Sequence, residues 1–103
     1  MTDLEKLENL NQLYDFYKEL LTDKQREYYE MYYFNDYSLG EIASDNNLSR
    51  NAIYDNITKT VKILLDYESK LHLLEKSNKR LEIIEKLEEK YSDELFEELK
   101  NID

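Results

Sequence analysis

The chain has 103 residues, with 24 acidic and 14 basic side chains and a formal net charge of −10. It has no cysteine, which excludes a disulfide framework and a thiolate metal site. No apolar run approaches membrane-spanning length, and the start Met1-Thr2-Asp3-Leu4-Glu5 lacks the basic and apolar parts of a signal peptide, so a cytoplasmic protein without membrane insertion is expected.

Proline is absent and Gly40 is the one glycine, so helices meet little interruption and an all-α fold is expected. The first helix is predicted over Leu4–Leu21. Leu7, Leu10, Tyr14, Tyr17 and Leu21 mark its apolar stripe, widened by Leu4, Leu13, Phe16 and Leu20. Thr22 and Gln25 form a Thr-x-x-Gln capping box, so a second helix runs from there to about Phe34. Tyr28, Tyr29, Tyr32, Tyr33 and Phe34 crowd that helix. Such a cluster is expected in the core, but the rings occupy too many faces for all of them to be buried, and base stacking is the sharper alternative. Asn35-Asp36-Tyr37 reads as a turn.

Residues 38–62 carry the strongest local signals. Ser38 and Glu41 make a second capping box, with Tyr37 and Ile42 at hydrophobic-staple spacing, so a short helix begins at Leu39. Ser49 caps the next helix, with Leu48 and Ile53 as its staple pair. Ala43 is the small residue at the crossing, and Ile42, Leu48, Ile53 and Ile57 are expected to fill the space between the two helices. This is a helix-turn-helix, whose second helix can enter the major groove of DNA. Ile53, Ile57, Val61 and Leu64 recur at helical spacing and should face the core. Ser49, Arg50, Asn51, Tyr54, Asp55, Thr58 and Lys62 then fall outside, with Lys59 beside them. Arginine can grip guanine with two bonds, asparagine can pair with the edge of adenine, and threonine, tyrosine or lysine can reach phosphate.

Beyond Lys62 the helix is expected to end near Asp66–Ser69, with Ser69 capping the next one. Residues 1–66 therefore read as the helix-turn-helix domain and 67–103 as a helical extension for packing and dimerisation. Leu71, Leu74, Leu81, Ile84, Leu87 and Tyr91 mark a long amphipathic helix. Leu71, Leu74, Asn78 and Leu81 fit heptad spacing with Asn78 at an a position, which points to a homodimer seam about one and a half heptads long. Ser92 is placed as the cap of a short final helix, with Asp93 and Glu94 in its first turn and Leu95, Phe96, Leu99 and Ile102 along its apolar side.

The charge is uneven. Residues 1–37 sum to −5 and 91–103 to −4, whereas the proposed recognition helix, Ser49–Lys62, sums to +2. A weak basic face on an acidic body implies weak duplex binding by one copy. Catalysis finds no support. The single histidine, His72, sits among leucines, no glycine-rich phosphate loop is present, and Glu82, Glu85, Glu88 and Glu89 alternate with Lys79, Arg80, Lys86 and Lys90 as ion pairs on a solvated face. No cofactor and no metal site is expected.

These residues resemble the YlxM family of small bacterial helix-turn-helix proteins over most of the chain. The match is carried by Asp15-Phe16-Tyr17, by Leu20-Leu21-Thr22-Asp23-Lys24-Gln25-Arg26, and by Tyr32-Tyr33. It continues through Ser38-Leu39-Gly40-Glu41-Ile42-Ala43 and Ser49-Arg50-Asn51-Ala52-Ile53-Tyr54-Asp55-Asn56-Ile57, with Tyr67-Glu68 and Lys70-Leu71 also fitting. The family looks like region 4 of bacterial sigma factors, so the resemblance implies an all-α helix-turn-helix of that type with a DNA-binding or regulatory role. Its genes neighbour those of the signal recognition particle GTPases, which implies a part in co-translational protein targeting. After Ile57 the sequence departs from the family's more basic pattern, with Thr58-Lys59-Thr60-Val61 in its place. Two functions therefore stand side by side: a regulator that binds DNA or RNA, and an acidic adaptor for the particle's GTPase or its RNA.

Overall fold

The computed structural model describes residues 2–91 and 94–102. Every regular element among them is helical, as the composition predicts. Two compact units divide the chain, the first from residue 1 to Leu71 and the second from His72 to the C-terminus.

In the first unit, α1 (Asp3–Tyr17) starts on Thr2, whose hydroxyl accepts from the Glu5 N–H. It tightens at its end into a 3-10 turn over Lys18–Leu20, so the single helix predicted to Leu21 closes early. Helix α2 (Asp23–Tyr33) begins at the predicted capping box: the Thr22 N–H donates to Gln25 Oε1 at 2.9 Å, and the Gln25 N–H donates to Thr22 Oγ1 at 3.2 Å. Helix α3 (Leu39–Asp45) repeats the device with Ser38 and Glu41, at 3.2 and 3.0 Å. Helix α4 (Arg50–Leu71) is the longest and packs against α1, α2 and α3.

Rings fill the layer between α1 and α2. Tyr14 and Tyr29 stack at 4.3 Å between centroids, only 7° from parallel, and Phe34 meets both edge-on. The Tyr29 hydroxyl donates to Asn11 Oδ1 at 2.7 Å, so this fully buried phenol keeps a partner. Burial, reinforced by Tyr33, Tyr14 and Asp15, pushes that phenol far above its ordinary range. Toward the end of α4, Tyr17 stacks on Tyr67 and donates its hydroxyl to Glu68 Oε1 at 2.6 Å. A second cluster, Tyr28, Ile42, Ala43, Ile53 and Ile57, packs α3 against α2 and α4.

Three expectations are corrected. Leu48 is exposed and does not fill the space between α3 and α4, while its N–H closes the turn on the Ala43 carbonyl at 3.0 Å. The inward stripe of α4 runs Ile53, Ile57, Thr60, Leu64, and Val61 is half-buried. Thr60 tolerates full burial because its hydroxyl donates to the Asn56 carbonyl of its own helix at 3.0 Å. Ser69 is not a cap, since its hydroxyl donates to the Asp66 carbonyl and α4 continues to Leu71.

The helix stops at His72, which takes a left-handed conformation (φ 56°, ψ 30°). Asp36 (φ 56°) and Asn47 (φ 54°) take the same conformation at their turns. Aspartate, asparagine and histidine enter this region more readily than other side chains, and here they do what glycine usually does. The second unit holds α5 (Leu73–Lys90) and α6 (Glu94–Lys100), which pack together, with Lys100 Nζ 2.8 Å from Glu88 Oε1. Leu74 and Ile84 are its buried apolar side chains among the described residues. The expected cap Ser92, with Asp93, and the side chains of Leu95 and Phe96 lie outside the described residues.

Candidate nucleic-acid interface

The turn between α3 and α4 sets the site. The side-chain amide of Asn46 donates to the Ile42 carbonyl at 2.8 Å, and Asn47 reverses the chain. Ser49 then accepts the Ala52 N–H on its hydroxyl at 3.1 Å, which starts α4 as the sequence predicts. Behind the turn, Ile42, Ala43, Ile53 and Ile57 hold α4 in place.

That anchoring leaves Ser49, Arg50, Asn51, Tyr54, Asp55, Lys59 and Lys62 exposed to solvent, and Thr58 half-buried. Tyr54 is 57% exposed. Arg50, Lys59 and Lys62 make no ion pair among the described residues, whereas Lys70, in the last turn of α4, is tied to Asp66 at 2.9 Å. Their charges are therefore available to an anion.

Two adjoining hollows lie along one flank of α4. The larger, about 400 Å³, is lined by Tyr32 and Tyr33 of α2, Leu39 of α3, and Tyr54, Ile57, Thr58, Val61 and Lys62 of α4. The smaller, about 360 Å³, is lined by Leu39, Arg50, Asn51 and Tyr54. Leu39 and Tyr54 line both, so the two hollows sit side by side and together make a trough beside α4. Not one lining residue is acidic, on a chain with 24 carboxylate side chains. Tyr32 stands edge-on to Tyr33 at 5.0 Å. Burial, and then Tyr32, push the Tyr33 phenol above its ordinary range.

Arg50, Asn51, Tyr54, Thr58 and Lys62 thus share this trough, while Asp55 and Lys59 do not line it. Sequence reasoning gave Tyr32 and Tyr33 only within an alternative base-stacking cluster, apart from the α4 face, and did not single out Leu39. The surplus of rings on α2 was the available signal, because a helix with that many tyrosines must leave some at its surface. The seam Leu71, Leu74, Asn78 and Leu81 is broken at its first step. Leu71 ends α4, the left-handed His72 comes next, and Leu74 is buried on α5, whereas Leu71 and Leu81 are exposed.

Among the described residues, no group of three or more histidine, aspartate or glutamate side chains could hold a metal ion, and no helix is long and apolar enough to cross a membrane. The profile of the family UPF0122, described as "Putative helix-turn-helix protein, YlxM / p13 like", matches residues 4–102. The chain belongs to this family. It is 49% identical to the UPF0122 protein OB1530 of Oceanobacillus iheyensis, an alignment covering 97% of this chain and 99% of that one. The UPF0122 protein YofM of Lactococcus lactis is 49% identical over 91% of this chain and 85% of its own. A UPF0122 protein of Streptococcus gordonii is 50% identical over 91% and 86%. Membership in UPF0122 agrees with the resemblance carried by the capping boxes and the α4 residues.

Proposed function

We propose that this protein is a DNA-binding regulator whose α3 and α4 form a helix-turn-helix of the sigma region 4 type. In this proposal Arg50, Asn51 and Tyr54 contact bases or phosphate, Thr58, Lys59 and Lys62 contact the backbone, and Ser49 and Asp55 flank them. The observation that carries the proposal is the exposure of Arg50, Asn51 and Tyr54 together at the start of α4, beside cations that no carboxylate neutralises among the described residues. An acidic body makes a single copy a weak binder. We therefore infer that it acts in the cytoplasm as a homodimer, through residues of the C-terminal extension such as Asn78 and the exposed Leu81.

The test is a titration of labelled duplex at several salt concentrations. Affinity should fall steeply with salt, and Arg50→Ala should weaken it by about 1–3 kcal/mol and flatten the salt slope by about one counterion. An unchanged dissociation constant for Arg50→Ala would reject the assigned face.

The charge of −10 favours a second reading, an acidic adaptor in the signal recognition particle pathway. It would bind the particle's GTPase or its RNA with the same fold. Retention of this protein by purified GTPase at low salt, with duplex ignored, would select the adaptor.

A further inference from the structure

The trough beside α4 has a composition that duplex readout does not explain. Its walls are the rings of Tyr32, Tyr33 and Tyr54, its lining includes the aliphatic Leu39, Ile57 and Val61, and Thr58 supplies a hydroxyl. Lys62 lines one hollow and Arg50 the other. Tyr54 and Tyr32 are 57% and 38% exposed, so both rings still have surface to cover. A ligand that fits has a flat body for rings to stack on and negative charge on either side of it. A nucleobase on its sugar-phosphate strand has both.

We propose that this trough seats one unstacked base of a single-stranded nucleic acid, stacked on Tyr54 and flanked by Tyr32, with Arg50 and Lys62, about 18 Å apart along α4, on phosphates farther along the strand to either side. The proposal rests on the nucleic-acid reading above and narrows it from duplex to single strand. The larger hollow, about 400 Å³, lies within the range of small-ligand sites. In a duplex the bases are stacked inward, and turning one out costs a few kcal/mol; in a loop or free strand it is already accessible. A basic helix of a protein partner suits the trough less well, because no carboxylate lines it.

The experiment titrates the full chain into a short RNA strand carrying 2-aminopurine, into the DNA strand of the same sequence, and into the corresponding duplex. The protein has no tryptophan, so the probe is excited without competing protein emission. Single strands should bind at least about tenfold more tightly than duplex, with a change in 2-aminopurine emission that reports stacking. Tyr54→Ala should lose about tenfold, whereas Tyr54→Phe should keep the affinity. Thermal melting of both variants should match the parent, since the ring is largely exposed. Lys62→Gln should weaken binding at low salt only. The RNA and DNA arms tell which strand is preferred, and tighter binding by either supports the proposal.

Tighter binding to duplex that Arg50→Ala weakens, with Tyr54→Ala unchanged, overturns the base pocket and leaves the DNA-binding regulator standing without its Tyr54 contact. No binding to any of the three probes at low salt overturns both. Loss of a purified protein partner's binding in Tyr54→Ala, with oligonucleotide binding unchanged, assigns the trough to that partner and also overturns the proposal.

Discussion

The two units use similar residues to different ends. Residues 1–71 bury Leu13, Tyr14, Tyr17, Leu21, Tyr28 and Tyr29 with the aliphatic cluster behind α3, and their helices start on hydrogen-bonded caps. Residues 72–103 bury Leu74 and Ile84, while Leu73, Leu81, Ile83, Leu87, Tyr91, Leu99 and Ile102 stay exposed among the described residues. The first unit has enough enclosed surface to act as a cooperative domain. The second is a pair of amphipathic helices with more apolar surface than it encloses. Helical periodicity therefore does not measure burial, because a stripe is buried only where another element covers it.

The largest expected effect is on the ring stack. Tyr29→Ala removes the Tyr14 stack, the Phe34 edge contact and the bond to Asn11, and should cost about 3–5 kcal/mol in urea unfolding. Ile84→Ala should cost about 2 kcal/mol, at the low end for a buried isoleucine, with loss of helical signal confined to the second unit. Equal losses in a single shared transition would show that the units unfold as one and would break the comparison.

Alkaline titration sharpens it. Burial is the leading cause that raises the Tyr29, Tyr14 and Tyr33 phenols above their ordinary value of 10.0. Above that pH the unfolded chain loses phenol protons that the folded chain keeps. Stability is therefore fully present below pH 10 and falls as pH rises from there. Ultraviolet phenolate absorbance should show the Tyr14, Tyr29 and Tyr33 phenols ionising above their ordinary value, as the first unit unfolds. Ionisation of Tyr14, Tyr29 and Tyr33 at their ordinary value, with no loss of helix, would contradict the sealed stack.

Smaller effects test the helix ends. Ser38→Ala removes half of a capping box and should cost about 1 kcal/mol in thermal or urea unfolding. His72→Gly relieves a left-handed residue and should be neutral or stabilising by up to about 1 kcal/mol, whereas His72→Val should destabilise by about 1–2 kcal/mol.

The starts of α2, α3 and α4 were legible because each depends on residues three apart, and so was family membership, which rests on the same motifs. The end of α4 was not. Neither glycine nor proline marks it, Ser69 offered a false cap, and the decisive residue is a histidine in a conformation that sequence rarely announces. Thr60 and Val61 occupy neighbouring helical positions, and hydropathy alone favours valine. The core takes threonine because its hydroxyl finds a partner in its own backbone. Most of the exposed face of α4 was readable from its inward face, but the trough was not. Tyr32 and Tyr54 are 22 positions apart in sequence, and only the packing of α2 on α4 brings them together.

The unbroken course of α4 has a mechanical consequence. Its 22 residues make a rod about 33 Å long. Arg50 and Asn51 are at one end, and Tyr67 and Glu68, held by Tyr17, are near the other. A rigid lever pinned at its far end resists being tilted at its near end. Ligand capture at Arg50 should therefore slow amide hydrogen exchange around Tyr17 as well, far from any atom the ligand touches.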